Sequence, residues 1–199
     1  MNKFYKFACD VTAGRLLGCK DVIGGINKIF LQAYDEDLIN GLSFGSSALV
    51  NEIDDVPAIT VFQYDLRQGT GSYTSNFTSD DATGTTYYEQ VLEVTLQKIE
   101  AEDLNQLDLI LKGRCQVYVL DNNDNLFLLG TKYGCTVTAG AMSTGVQKGD
   151  LSGFTLTFTG QEQENFIFKP TAGVGTAKYP FDGVTTDANV TITTGTYPS

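Results

Sequence analysis

A mainly β fold, an antiparallel β-barrel or sandwich with one flanking α-helix, is what this 199-residue sequence predicts. Three observations point there. Glycine (21) far outnumbers proline (4), as in chains with many tight turns between short strands. Stretches such as LEVTLQ at 92–97 and GFTLTFTG at 153–160 alternate apolar with polar residues, the period of a strand with one buried face. Helical spacing is clear in one place, Ala101 to Lys112, where Leu104, Leu107 and Leu111 recur at i, i+3 and i+7.

Ile29 to Tyr34 reads as a strand that follows the Gly24-Gly25 turn and ends at Asp35, Glu36 and Asp37. Ala58 to Tyr64 is a second strand, rich in β-branched and aromatic residues. Asp65 to Thr86 is glycine-, serine- and threonine-rich, with little to build a core, and reads as a long hairpin arm separable from the body. A merely solvated linker has little use for spaced aromatics, so Tyr73 and Phe77, with Arg67 and Tyr87, are candidates for docking on a neighbour.

Tyr87 to Ile99 is the next strand, with Leu92, Val94 and Leu96 toward a core and Glu93, Thr95 and Gln97 away from it. The helix at 101–112 follows, with Glu102 and Asp103 in its first turn and Gly113 just past its end. Arg114 to Leu120 and Leu126 to Gly130 form a hairpin around Asp121 to Asn125. That turn resembles a calcium loop, but Leu126 stands where a glycine is needed and Lys132 where a bidentate glutamate belongs. Tyr133 to Ala141 and Gly149 to Gly160 are strands, and Thr155, Thr157 and Thr159 form a second polar face. Residues 1–168 thus read as one domain, and 169–199 as a C-terminal extension that wraps the body or a neighbour, with a last strand at Asn189 to Thr193.

The charge is uneven. Between Ile29 and Leu111 fifteen acidic residues face two basic ones, Arg67 and Lys98, a local charge of −13 that leaves +2 for the rest of a chain whose total is −11. Such a surface repels a phosphate backbone, which excludes stable nucleic-acid binding but suits a wall past which DNA slides.

Catalytic chemistry is not expected. With no histidine, Ser-His-Asp and Cys-His arrangements are impossible within the chain. The paired carboxylates Asp35-Glu36-Asp37, Asp54-Asp55 and Asp80-Asp81 lie in turn-like stretches where little would shift a pKa. Gly14 to Lys20 lacks the spacing of a phosphate-binding loop. Cys9, Cys19, Cys115 and Cys135 show no Cys-x-x-Cys pair, and Cys115 and Cys135, among apolar and β-branched neighbours, read as small buried hydrophobes in a reducing compartment. The expectation is therefore no cofactor, no metal and no small-molecule substrate. The amino terminus lacks the unbroken apolar run of a signal peptide, and no stretch approaches a membrane span, so a cytoplasmic protein is expected.

The order of strand, glycine-rich arm, strand, single helix (Glu100 to Lys112), hairpin and further strands resembles the tail tube proteins of bacteriophages. Leu126 to Gly130, Thr136 to Gly140 and Gly149 to Glu162 are similar to segments of phage virion structural proteins. The resemblance covers roughly Val56 to Glu164. It implies hexameric rings whose inner strands join into one barrel, stacked head to tail through the arm and the chain ends, around a negative lumen that passes DNA. The partners it implies are further copies of the chain and other virion proteins, in a particle assembled in a bacterial cytoplasm. Glu93, Thr95, Gln97, Thr155, Thr157 and Thr159 would then face the lumen or the adjoining wall. The chain departs from the pattern after Lys169, which leaves room for a neck-ring or capsid-decoration role, while a β-sandwich binding module is the reading outside this group.

Overall fold

The computed structural model describes residues 15, 20–45, 51–99, 101–170 and 176–195, with side chains in the 101–112 helix described from Leu104 onward. Cys9 and Cys19 lie outside the described residues. The fold is mainly β, built from two sheets, one of them curled into a half-barrel, with a flanking helix.

The strands are β1 (Ile26–Ala33), β2 (Ser43–Phe44), β3 (Glu52–Asp55), β4 (Ile59–Asp65), β5 (Gly71–Asp80), β6 (Thr85–Gln97), β7 (Cys115–Asp121), β8 (Leu126–Leu129), β9 (Thr136–Ser143), β10 (Gly153–Glu162), β11 (Phe166–Phe168) and β12 (Val190–Thr194). The helices are a single turn, α1 (Leu38–Gly41), and α2 (Ala101–Lys112), the one that the leucine spacing predicts. The larger sheet has eight strands in the order β12-β4-β1-β7-β8-β11-β3-β2, and the smaller has four in the order β5-β6-β10-β9. Most pairs are antiparallel, but β12 joins β4 and β11 joins β3 in parallel.

The central strands of the larger sheet are buried on both faces, and for that reason β1 and β7 read as near-continuous apolar runs instead of alternating ones. Ile29, Leu31, Val117 and Val119 point to the space between the sheets, where they meet Leu92, Val94, Leu156 and Phe158 of the smaller sheet. Phe30, Tyr118 and Leu120 point the other way, into a second core completed by Leu38, Ile53, Phe168, Phe181 and Val190. There the Phe181 ring meets Phe30, Tyr118 and Phe168 edge-on, at centroid distances of 5.3, 5.4 and 5.7 Å.

Residue 168 is therefore not the end of the packed body. Phe181, Val184 and Val190 are core residues, and Thr186 is tied to Asp55 through both its N–H and its hydroxyl at 3.0 and 2.8 Å. The stretch looks like an extension in sequence because its apolar residues are spread among turns and lack any period. The 65–86 arm is the hairpin that the sequence predicts, with β5 paired to β6 from Gly71↔Val94 out to Asp80↔Thr85, but it is an integral strand of the smaller sheet and not separable from the body. The ladder hides this in the sequence because β5 buries few of its side chains.

The Asp121 turn is closed from within. Asp121 Oδ1 accepts the N–H groups of Asn123 and Asn125, both at 2.8 Å, and Asn125 Nδ2 donates to Asp121 Oδ2. This is a hairpin turn with Asp124 in the left-handed region, φ 63°.

Candidate functional site

The ladder of the smaller sheet puts all six residues of the predicted polar face on one side. Thr155 is opposite Thr95, Thr157 opposite Glu93, and Gly153 opposite Gln97, while Thr159 is opposite Val91. Because antiparallel partners point to the same face, this side carries hydroxyl, amide and carboxylate groups, and the other carries Leu92, Val94, Phe154, Leu156 and Phe158 into the inter-sheet core. β9 extends the same outer face with Ala141 opposite Thr155 and Ala139 opposite Thr157. A bulge between Thr157 and Phe158 brings the hydroxyls of Thr138 and Thr159 to 2.9 Å.

Gly153 and Gly160 bracket this strand because side chains do not fit there. A Cβ on Gly153 would come within 2.1 Å of the Leu96 carbonyl oxygen, and one on Gly160 within 2.8 Å of Cys135 Sγ. The alternating stretch thus has a core face, an outward threonine face and two points of close backbone approach.

The four arm residues are not brought together. Phe77 is 77% exposed near the free end of the β5–β6 hairpin, and Tyr87 stands on the outer face beside it. Arg67 lies before β5, at the opposite end of that strand, and is exposed. Tyr73 packs at 5.4 Å on Phe127 between the sheets, where burial pushes its phenol up to about 12. The period of two places Tyr73 and Phe77 on the same face of β5, but only Tyr73 lies over the core.

At the hairpin end the outer face dips into an open hollow lined by Thr85, Tyr87, Tyr133, Thr138, Thr159 and Gln161, among others. Its floor rests on a buried polar framework. Glu162, 4% exposed, accepts the N–H groups of Lys132 and Tyr133 on Oε1 at 3.0 and 2.8 Å. Burial raises its pKa above the ordinary carboxylate value, and the N–H donors oppose that shift. Gln90, fully buried, accepts from the Gly130 N–H and donates to Asn165 Oδ1, which ties β6 to the loop after β8 and to the β10–β11 turn. Tyr34 OH donates to the Lys132 carbonyl, and the Arg114 guanidinium lies 4.1 Å over the Tyr34 ring and donates to the Tyr133 carbonyl, so the loop is held from both sides.

The sequence predicts a strand that starts at Tyr133, but β9 begins at Thr136 and Tyr133 lies in the loop before it. The hollow itself has no signal in the sequence because it joins β6, β9 and β10, which are distant in the chain. Cys115 and Cys135, both free thiols, face each other across an isolated antiparallel backbone pairing inside the inter-sheet core, and burial pushes the Cys115 thiol up to about 12 and raises that of Cys135 as well. Both thiols are thereby kept protonated and weakly nucleophilic. Among the described residues there is no group of three or more histidine, cysteine, aspartate or glutamate side chains that could hold a metal ion, and no helix long and apolar enough to cross a membrane. No protein-family model, curated protein or solved structure matches this chain.

Proposed function

We propose that this chain is a self-assembling structural subunit, a virion protein of the phage tail tube type, whose four-stranded sheet supplies one segment of a ring wall. The observation that carries this reading is the pair of edges on that sheet to which no strand among the described residues is paired. β5 and β9 are ten and eight residues long, and neither contains a lysine, an arginine or a proline. Natural monomers blunt such edges with charge, proline or brevity, because unpaired N–H and C=O groups recruit another strand. Pairing the β5 edge of one copy with the β9 edge of the next is a heterologous contact that satisfies both, and it closes when the rotation between copies completes a circle.

The outer face fits the inside of such a ring. It is hydroxyl- and amide-rich, with Asp80, Glu89 and Glu93 as its carboxylates, so duplex DNA would meet repulsion instead of grip. With six copies, the number the resemblance implies, about 24 strands spaced about 4.8 Å apart and tilted about 40° would enclose a bore of about 40 Å. That bore passes a double helix. Other virion proteins at the tube ends, and a location in the particle after assembly in a bacterial cytoplasm, belong to the same proposal.

Negative-stain electron microscopy of the purified protein over a concentration series, beside its mass in solution, tests it. Hollow rings or tubes are expected. A capsid-decoration or binding-module role would give no hollow assembly.

A further inference from the structure

The two ends of the four-stranded sheet differ in shape. β10 runs from Gly153 at one end to Glu162 at the other, about 33 Å at a strand's rise per residue. At the Gly153 end, residues 144–152 form a loop with Val146 at 98% exposure and Met142 at 55% beside it on β9. The loop is ordered around one carboxylate. Asp150 Oδ2 accepts the N–H groups of Val146 and Gln147, both at 2.8 Å, and the Asp150 N–H donates to the Gln147 carbonyl at 3.1 Å. Gly145 makes the tight bend with φ +70°, and its N–H donates to Ser143 Oγ at 3.2 Å. An apolar residue fixed in a hydrogen-bonded loop, with nothing among the described residues to pack on, is a knob.

The Glu162 end is concave. The hollow there has a volume of about 630 Å³ and is walled by Tyr87 and Tyr133. The two ends can also pair by charge: on the knob loop Asp150 is turned to the loop's own N–H groups beside Lys148, while Glu89 lies across the ladder from Gln161 on the hollow's wall. Lys132, the residue before Tyr133, has its Nζ 5.2 Å from the Tyr133 ring centre.

We infer that the 144–152 loop of one copy seats in the Tyr87–Tyr133 hollow of the next, with Val146 between the two aromatic rings and Lys148 facing Glu89. The inference rests on the ring reading and deepens it, since knob and hollow lie at opposite ends of the wall sheet and so join rings along their common axis. A head-to-tail contact of this kind does not close and propagates as a stack. The β5–β6 hairpin then acts as one wall of the socket through Thr85 and Tyr87.

The test uses the full-length protein as wild type, V146D, K148E, E89K and the E89K/K148E pair, each followed by sedimentation and electron microscopy. V146D should keep the ring mass and the unfolding transition of the wild type while long tubes disappear. K148E and E89K should each raise the concentration at which tubes appear by about tenfold, and the pair should bring it back to within about threefold of wild type. Tubes of normal length from V146D, or a charge-swapped pair no better than its single variants, would overturn the socket while leaving the rings standing. A wild-type protein that stays monomeric at every concentration would overturn both.

Discussion

The eight-stranded sheet ends in β2, two residues long, and β12, five residues long, whereas the four-stranded sheet ends in β5 and β9, ten and eight residues long. Their faces differ as well. The larger sheet has a core on each side, and the smaller has one buried face and one that presents Glu93, Thr95, Gln97 and the three threonines of β10. The short edges and double burial suit an element whose job is to hold the subunit together. Long edges and a single polar face suit one whose surplus hydrogen-bonding capacity is directed outward. Stability and association are therefore expected to map to different sheets.

The largest effect should come from the second core of the larger sheet. Phe181→Ala removes a fully buried ring that meets three other aromatics and should cost about 3–5 kcal/mol in urea unfolding. A cost below about 1 kcal/mol would mean that 176–195 adds little to the core and would return it to the status of an extension. Next, Ala139→Lys with Ala141→Lys puts two charges on the β9 edge strand of the smaller sheet. That variant should unfold within about 0.5 kcal/mol of wild type, yet stay monomeric at concentrations about tenfold above those at which wild-type rings form. If it instead loses several kcal/mol, the two sheets do not divide the work.

Much of this division is legible in the sequence, and the exceptions have physical causes. The alternation of 92–97 and 153–160 fixes which residues share the outer face, because period two survives any register. The helix at 101–112 is announced by its leucines. By contrast, β5 reads as a detachable arm since most of its side chains are exposed, and Phe181 appears as part of an extension since it is a lone aromatic among turns. The socket between Tyr87 and Tyr133 has no linear signature at all, and Val146 lies between two predicted strands in a stretch whose order depends on the Asp150 carboxylate.

The face itself gives the third prediction. Glu93→Lys with Thr157→Lys, directly opposite each other on the ladder, changes each subunit's wall by three charge units. Wild-type assemblies should retain no duplex DNA at about 0.15 M salt, while the variant should retain it in a salt-dependent way, as a filter-retention assay would read. Strong DNA retention by the wild type would remove the reason to place this face inside a tube.

The smallest effect concerns Glu162. Its carboxyl titrates above the ordinary value when folded, so as pH rises the unfolded chain ionises first and the wild type loses stability relative to a glutamine variant. In Glu162→Gln the side-chain amide keeps an oxygen that can accept the N–H groups of Lys132 and Tyr133. The variant's urea midpoint should gain on wild type as pH rises above about 4, the unfolded carboxyl value, and be level with it at lower pH. A wild-type advantage that grows with pH would show that the two N–H donors outweigh the burial.

Sedimentation velocity of the wild-type protein across a hundredfold concentration range, with electron microscopy of each species, bears most directly on the open edges of the four-stranded sheet. Rings that sharpen into one closed species and then lengthen by stacking are predicted. A single monomeric species throughout would contradict the claim that β5 and β9 are edges awaiting one another.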